Sequence, residues 1–336
     1  YLIGIVGDIN VINPKTLRAT GAVSSPIALA HQTIAFICLT SISYFKNKNF
    51  TIPNWFVISE NDNFNDYDVL FQVNVEKCKK EPRRILYQRI KEANTPCLVC
   101  ESTPFRKNIT EIFSNNIDSK KMYRLGWNHY SRLGKFNNSY CKPDRWQKIQ
   151  REQDIIIKDW NLNSEGYILL CLQKPTDSSL NSIYEKYDDY NDWIVDTIND
   201  IRKYTNRKIR IRPHLKAKNV RVSQLVCDNI ELSTVWKNRT IYEGGESLLE
   251  DFKNAHCVVS YNSNVLVESV CEGIPIIALS NESVAWEVSN KLHNIETLDL
   301  NINRSQWLYN TAYMVWTEDE ILNGDAWNHL KGVYFK

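Results

Sequence analysis

The sequence predicts an α/β protein with two domains, each built around a parallel sheet, and three observations carry that prediction. The first is the length, because 336 residues are enough for two domains of ~100–200 residues each. The second is a repeated alternation of short apolar runs with segments of helical length, which is typical of parallel strands joined by helical crossovers. The third is the composition: 43% hydrophobic and 24% charged residues exclude collagen-like and largely disordered chains.

The first half of the chain opens on the apolar run LIGIVGD at residues 2–8, which is ended by a turn and predicts a buried parallel strand. Ser24, Ser25 and Pro26 suit the cap and first turn of a following helix. Predicted strands cover residues 2–8, 54–58, 68–73 and 96–100, and predicted helices cover 27–45 and 81–93. The aromatic and Asn-rich stretch 120–144 lacks periodicity, so it predicts loops and a linker before a helix over 145–160.

The second half repeats the alternation. Trp193, Ile194, Ile198 and Ile201 recur at helical spacing and predict one buried face of a helix. Predicted strands cover residues 166–172, 208–212, 256–260 and 274–279, and predicted helices cover 190–204, 247–255 and 265–271.

The two halves therefore predict two Rossmann-like domains whose parallel sheets face a cleft. We expect a first domain over residues 1–150, a second over 151–303, and a helical segment over 304–336 that packs back on the first domain. Ligands of such folds bind outside the carboxyl ends of the strands, so the expected site lies in the cleft at those ends.

Charge is distributed unevenly between the halves. Residues 1–150 contain 21 Lys and Arg against 12 Asp and Glu, a net charge of +9, whereas residues 151–336 carry a net charge of −7. Such a split indicates either an anionic partner for the first half or attraction between the two halves.

Other patterns restrict the class of protein. No apolar run approaches the ~20 residues of a membrane span, and no signal-peptide pattern opens the sequence, so we expect a cytoplasmic protein. Nine cysteines at irregular spacings predict buried thiols. The sequence lacks the Walker A, GxGxxG and HExxH motifs, so no bound cofactor or metal is expected. The acidic pairs Asp66/Asp68 and Asp188/Asp189 predict solvated faces rather than metal sites.

Polar side chains follow the predicted strands of the second half. Gln173, Lys174, Asp177 and Ser178 come directly after one strand, where they suit either a ligand or a capped loop. Arg212 ends the next strand, on the same side as Arg210. His214 lies just beyond the end of that strand. Arg and His donors suit a phosphate, although a solvated edge strand gives the same pattern.

A third group lies where a strand leads into a helix. Ser263 and Asn264 stand at this junction, where free backbone N–H groups can bind an anion or be satisfied by plain caps. Glu268, one turn into the helix, is placed to hold ribose hydroxyls, as acidic residues do in nucleotide-binding folds.

These motifs, taken in order, resemble a known family. QKPTDSS at 173–179, RPH at 212–214 and VVSYNSNVLVESVCEGIPIIAL at 258–279 resemble the C-terminal half of GT-B glycosyltransferases. They look most like capsule-polysaccharide Kdo transferases and bacteriophage glycosyltransferases. PCLVCESTPFR at 96–106 is similar to a strand–Glu–x–Gly–Phe–x–Arg element of that family, without its glycine.

The resemblance implies a nucleotide-sugar donor in the second domain and an acceptor mainly in the first. Lys174, Arg212, His214 and the helix start at Ser263 and Asn264 would stabilise the leaving phosphate without a metal. The general base for the acceptor hydroxyl would be Glu101 first and Asp8 second, because both follow strands of the first domain.

Two acceptor classes stay open. DNA carrying hydroxymethylated pyrimidines is preferred, because Lys79, Lys80, Arg83 and Arg84, with Arg106, would grip phosphates. Trp127 would stack on a displaced base, or have a structural role. The alternative is a glycan of surface-polysaccharide synthesis, and a non-enzymatic nucleic-acid-binding module is a third interpretation.

Overall fold

A computed structural model of the chain describes residues 3–6, 55–58, 69–73, 92–105, 122–175, 177–214, 220–233, 244–322 and 324–335. These residues form two compact units. Unit 1 contains the described residues of 1–103, 116–146 and 309–336, and unit 2 contains those of 104–115 and 147–308. None of the helices within these ranges is both long and apolar enough to cross a bilayer.

Strands and helices alternate along most of the described chain. The strands are β1 (Ile3–Val6), β2 (Trp55–Ile58), β3 (Val69–Val73), β4 (Cys97–Ser102), β5 (Met122–Trp127), β6 (Tyr167–Cys171), β7 (Ile209–Arg212), β8 (Ile230–Leu232), β9 (Ala255–Ser260), β10 (Ile276–Ala278) and β11 (Val315–Thr317). The helices are α1 (Asp144–Glu152), α2 (Asn181–Tyr184), α3 (Tyr190–Arg202), α4 (Gly244–Lys253), α5 (Val265–Cys271), α6 (Ser305–Ala312), α7 (Glu318–Leu322) and α8 (Asp325–Leu330). The predicted helices 27–45 and 81–93 fall almost wholly outside the described residues.

The sheet of unit 1 is mixed, which corrects the prediction of an all-parallel sheet. Its strand order is β11-β5-β4-β3-β1-β2. β2, β1, β3 and β4 pair in parallel, whereas β5 runs antiparallel to β4, and β11 runs antiparallel to β5. β5 and β11 are the strands that make this sheet mixed, and neither was predicted as a strand.

β5 occupies residues 122–127 of the stretch 120–144 that was predicted as loops, whereas residues 128–143 are turns and irregular structure, as predicted. All six of its residues are buried, including Arg124 and Gly126. A Cβ on Gly126 would lie 2.1 Å from the ring of Phe136, so glycine allows that ring to pack on the strand. A strand buried on both faces does not alternate apolar with polar residues, so periodicity gives no signal for it.

The segment after residue 304 also differs from the helical segment predicted there, because it contributes β11 as well as α6, α7 and α8. Its described residues from 309 onwards belong to unit 1, where its C-terminal part packs on Trp127. The Trp127 indole N–H donates to the carbonyl of Leu330 at 2.9 Å, and the Tyr334 ring meets the indole edge-on at 5.2 Å. Trp127 is 0% exposed, so residues about 200 positions later in the chain complete its burial.

The sheet of unit 2 is parallel, with strand order β10-β9-β6-β7-β8. Helix α3 confirms the predicted amphipathic helix, and its residues Trp193, Ile194, Ile198 and Ile201 pack with sheet residues in one buried cluster. Asp189 begins this helix, since its carboxylate accepts a hydrogen bond from the Asn191 N–H at 3.0 Å.

A glycine allows one turn of unit 2 to pack tightly against the chain that follows α1. Gly273 has a φ of +78°, and its carbonyl accepts a hydrogen bond from the Asn161 N–H at 2.7 Å. A Cβ there would lie 2.0 Å from the Asp159 carbonyl oxygen. Both the left-handed conformation and the close backbone approach therefore require glycine at this position.

We predict that Gly273→Ala lowers the free energy of unfolding by about 2 kcal/mol or more, because the new methyl group adds backbone strain and a clash. Urea denaturation measures the loss. Gly332→Ala is the control, because its Cβ would meet only Asn137 Nδ2 at 3.7 Å, and it should change stability by less than about 0.5 kcal/mol. Equal effects of the two substitutions would contradict this account.

A second prediction concerns pH and the packing in unit 1. Burial lowers the pKa of His329 below its ordinary value of 6.5, and the positive charge of Arg145 acts in the same direction. The His329 Nε2–H donates to the carbonyl of Phe136 at 3.1 Å. Because folding favours the neutral ring, its contribution to stability is present above about pH 6.5 and is lost as pH falls through the lowered pKa.

Urea denaturation between about pH 7.5 and about pH 5 should therefore show a smaller loss of stability for His329→Gln than for the wild type. Glutamine keeps a donor for the Phe136 carbonyl and does not titrate. His293→Gln, at an exposed position, should follow the wild type. A His329→Gln profile parallel to the wild type would refute the prediction.

Candidate functional site

The candidate site of unit 2 lies where its parallel strands end. β6, β7 and β9 are neighbours in the sheet, so their carboxyl ends open at one edge. We call this the carboxyl edge, and define it as residues 172–180, 212–214 and 260–268. The sequence predicted the donor-binding residues in these three segments, and the parallel pairing brings the segments together.

Two carboxamides interlock at the centre of the carboxyl edge. The Asn262 backbone N–H donates to Gln173 Oε1 at 3.1 Å, and Gln173 Nε2 donates to Asn262 Oδ1 at 2.8 Å. Gln173 Nε2 also donates to Ser179 Oγ at 2.8 Å, while Asn262 Nδ2 donates to the Ser179 carbonyl at 2.9 Å. Both amide side chains are thus engaged within the protein, and Gln173 fixes the loops rather than presenting a free amide to a ligand.

The loop that follows β6 is a hydrogen-bonded turn. The carboxylate of Asp177 accepts from the Ser179 N–H at 3.0 Å, and the Asp177 N–H donates to the Lys174 carbonyl at 2.8 Å. These hydrogen bonds agree with the interpretation of this segment as a capped loop. Lys174, in the same turn, is half-buried. Ser178 begins the short 3₁₀ helix Ser178–Leu180, and its side chain lies outside the described part.

Arg212 ends β7 and reaches a buried carboxylate. Its Nη1 lies 2.5 Å from Asp251 Oδ2, and the Ser233 hydroxyl donates to the same oxygen at 2.7 Å. Asp251 lies on α4, and both Asp251 and Ser233 are 0% exposed. The guanidinium is therefore held from inside the protein, at the strand end where the sequence predicts a phosphate.

Arg210 lies on the same side of β7 as Arg212, as the alternation predicts, but its partners differ. Arg210 forms an ion pair with Glu231 at 2.6 Å, donates to the Tyr167 hydroxyl at 2.6 Å and stacks on the Tyr167 ring at 3.9 Å. β7 lies between β6 and β8, so the interpretation of a solvated edge strand is wrong.

The remaining predicted donor residues border the same strand ends. His214 is exposed, directly after the buried Pro213. Ser263 Oγ accepts from the Val265 N–H at 3.3 Å, so this side chain caps the short helix α5, whereas the Asn264 side chain makes no cap hydrogen bond. Both Ser263 and Asn264 are half-buried.

Glu268 influences the last residue of β6 electrostatically. Burial raises the pKa of the Cys171 thiol to about 12, Arg212 acts against that rise, and Asp251 and Glu268 add to it. One cation and two carboxylates thus lie within electrostatic range of the last residue of β6. Glu268 is half-buried one turn into α5.

The candidate base Glu101 lies within β4, one residue before its end, rather than after the strand as predicted. It is half-buried, and its Oε1 accepts from the Ser102 N–H at 2.7 Å. Arg124 of β5 is its direct cross-strand neighbour and is buried. The longer strand reflects pairing with β5, a strand that the sequence analysis did not predict.

Of the predicted acceptor residues, the structure describes Trp127. Asp8, Lys79, Lys80, Arg83, Arg84 and Arg106 lie outside the described residues. Trp127 is in the core of unit 1, so stacking on a displaced base is wrong for this ring, and its role is structural. Its indole N–H is already bonded to a backbone carbonyl, which leaves neither a face nor a donor for a ligand.

Metal ligands are not grouped in the part of the chain that the structure describes, where no cluster of three or more His, Cys, Asp or Glu side chains occurs. Asp189 is the cap of α3 and forms an ion pair with Arg221 at 2.8 Å. Hydrogen bonds from Asn191, together with Arg221, hold the pKa of Asp189 below its usual value. This carboxylate therefore has a structural role.

Three residues of this region were not among the predicted site residues. Asn262 lies in the recognised strand–helix junction, but nothing local distinguishes it from Ser263 and Asn264. Asp251 lies on α4 and Ser233 directly follows β8, and the sequence around neither residue forms a recognisable motif. Only the apolar pattern around Asp251, in LLEDF, signals that this carboxylate falls on the buried side of a helix.

Comparison with known proteins gives a likeness of overall structure to solved proteins. No protein-family model and no curated protein sequence matches the chain. Among solved structures it is similar to Thermosulfurimonas dismutans KpsC, a beta Kdo 2,4 transferase, at 9% identity and a TM-score of 0.46. The likeness covers 93% of this chain and 89% of that one. At this identity and TM-score it carries no conclusion about activity, so the functional interpretation depends on the side chains described above.

The interlock of Gln173 and Asn262 makes a stability prediction. Asn262→Ala removes the acceptor of Gln173 Nε2 and the donor to Ser179, so it should lower the free energy of unfolding by about 1–3 kcal/mol. Asn264→Ala is the matched control, since its side chain caps nothing, and it should cost less than about 0.5 kcal/mol. Urea denaturation measures the free energy of unfolding of both variants. Equal losses would show that the interlock contributes no specific stability.

Proposed function

We propose that this chain is a glycosyltransferase of the GT-B type, which moves a sugar from a nucleotide-sugar donor to a hydroxyl acceptor. The observation that carries the proposal is the convergence of Arg212, His214 and the interlocked loops at one edge of a parallel sheet. Ligands of open α/β sheets bind at such an edge. The loops are held by hydrogen bonds within the protein, so the site is preorganised.

The donor would bind with its phosphate at Arg212 and His214, and with Lys174 nearby. In the reaction the acceptor oxygen bonds to the anomeric carbon, the bond from that carbon to the phosphate oxygen breaks, and negative charge develops on the departing phosphate. Cationic donors fixed before the reaction stabilise that charge without reorganisation, and no metal is needed for it. The carboxylate of Glu268 suits the ribose hydroxyls.

Glu101 is proposed as the general base that takes the proton of the acceptor hydroxyl, with Asp8 as the alternative. The support is that Glu101 is half-buried and its carboxylate is oriented by the Ser102 N–H. Arg124, which is buried, lies directly across the strand pair from Glu101.

The acceptor is proposed as hydroxymethylated pyrimidine in DNA, with a glycan as the alternative. With Trp127 in the core, the DNA acceptor is supported by charge alone: the net +9 of residues 1–150. A glycan acceptor has no need of that charge. The two acceptors therefore differ in how transfer depends on salt.

A screen of donors and acceptors tests the proposal. Purified chain in excess EDTA is incubated with UDP-, GDP-, dTDP- and CMP-sugars, and with hydroxymethylated DNA, unmodified DNA or oligosaccharides. Mass spectrometry should show one glycosyl residue added to one acceptor class. His214→Ala should lower turnover by about 10²-fold, whereas the exposed His293→Ala should not.

Each outcome of the screen decides one part of the proposal. Transfer to DNA that weakens steeply with salt supports the DNA acceptor, and transfer to a soluble glycan without DNA binding ends it. Activity lost in EDTA and restored by Mg²⁺ or Mn²⁺ would overturn the metal-independent mechanism. Absence of both transfer and nucleotide binding would overturn the glycosyltransferase assignment.

The base makes a separate prediction. Glu101→Gln keeps the shape of the side chain and an acceptor for the Ser102 N–H, so folding and donor KM should be unchanged while kcat falls by about 10²–10⁴-fold. Asp8→Asn is the matched comparison. If Asp8→Asn gives the larger fall in kcat, the base belongs to the first strand, and unchanged kcat in both variants would exclude both residues.

A further inference from the structure

Asp251 is a fully buried charge that the proposed reaction does not use. Its side chain is 0% exposed, and a carboxylate without water is stable only when charged and hydrogen-bonding partners surround it. One oxygen, Oδ2, is bonded to Arg212 Nη1 at 2.5 Å and to the Ser233 hydroxyl at 2.7 Å. The other, Oδ1, has no hydrogen-bond partner and faces Arg210 Nη1 at 3.6 Å.

The ion pair with Asp251 restricts the Arg212 guanidinium. An arginine side chain has many rotamers, and its planar fork recognises phosphate only in a defined orientation. Asp251 holds one end of the fork from inside the protein, at the last residue of β7. The Arg212 side chain is 11% exposed, so part of it still meets solvent.

Arg210 provides an internal comparison for the same carboxylate. It lies two residues earlier on β7, roughly 6.5 Å further from the carboxyl edge. Glu231 and the hydroxyl of Tyr167 already hold its guanidinium. Asp251 therefore faces two arginines, of which one is held by other groups and one ends at the candidate phosphate site.

We propose that Asp251 is a positioning residue that, supported by Ser233, sets the Arg212 guanidinium to receive the phosphate of the nucleotide donor. This inference rests on the proposed donor site at the carboxyl edge. Because Asp251 lies on α4, the proposal implies that this helix contributes to ligand binding.

The direction in which Asp251→Asn changes nucleotide affinity distinguishes a positioning role from charge repulsion. A negative charge near a phosphate site repels the ligand, so its removal alone should strengthen phosphate binding. If Asp251 acts by holding Arg212, its removal should weaken binding, because the guanidinium loses its defined orientation. Asp251→Asn is therefore expected to have opposite effects under the two accounts.

The experiment measures the binding of CMP and UDP to the 336-residue chain by isothermal titration calorimetry. The variants are Asp251→Asn, Arg212→Gln and the double variant. We expect Arg212→Gln to weaken nucleotide binding by ~10–100-fold and Asp251→Asn by ~10-fold. The double variant should bind no more weakly than Arg212→Gln alone, because Asp251 acts through Arg212.

The matched control is a second cycle with Arg210. Arg210→Gln should change nucleotide affinity by less than about 2-fold, and its effect should add to that of Asp251→Asn. Circular dichroism checks folding, because loss of one partner of a buried ion pair destabilises proteins. If Asp251→Asn does not fold, Ser233→Ala replaces it, since that variant keeps the charge and loosens only the carboxylate, and a ~2–5-fold weakening is expected.

The possible outcomes are distinct. Weaker binding with coupling to Arg212 but not to Arg210 supports the proposal, even if no sugar transfer is found and the proposed function fails. Tighter nucleotide binding by Asp251→Asn would overturn it while leaving the glycosyltransferase assignment in place. So would a double variant of Asp251 and Arg212 whose loss of affinity is the product of the two single losses, because the residues would then act independently. Absence of CMP and UDP binding to the wild-type chain would also overturn it.

Discussion

The interaction on which much of unit 2 depends is the pairing of the buried Asp251 carboxylate with the cations of β7. A charge without water requires partners, and here they come from separate parts of the chain: Arg212 ends β7 and Ser233 follows β8. The contact ties α4 to the sheet through charge as well as through apolar packing. It also fixes a guanidinium at the carboxyl edge, which joins the packing of a helix to the chemistry of the candidate site.

The carboxamide interlock does the same for the loops. Gln173 follows β6 and Asn262 follows β9, and these neighbouring strands bring the two amides together because they run in parallel. Each amide forms hydrogen bonds with the other and with Ser179. These bonds replace bonds to water and hold the loop after β6 in one conformation. Gln173, which the sequence predicted as a ligand-binding residue, thus links the loops at this edge.

Unit 1 is organised by contacts over long distances in the chain. β5 lies between β4 and β11, and the segment after residue 304 supplies both a strand and the carbonyl that binds the Trp127 indole. Arg145 joins the same region, since it forms a bidentate ion pair with Glu320 and stacks on Trp316 at 3.8 Å. Trp127, for which the sequence suggested stacking on a base, lies with Trp316 in the core that these contacts close.

The sequence by itself determined the α/β alternation of unit 2, the helix faces and the order of polar groups at strand ends, because apolar periodicity and turn residues act over a few neighbouring positions. Helices α3 and α5 and strands β6, β7 and β9 were predicted to within two residues at each end. Only the tertiary structure decided that β5 and β11 are strands, that Trp127 is in the core, and that Gln173 pairs with Asn262 and Arg212 with Asp251. Each of these depends on which distant residue lies opposite, and a local pattern carries no information about a partner 39 to 203 positions away.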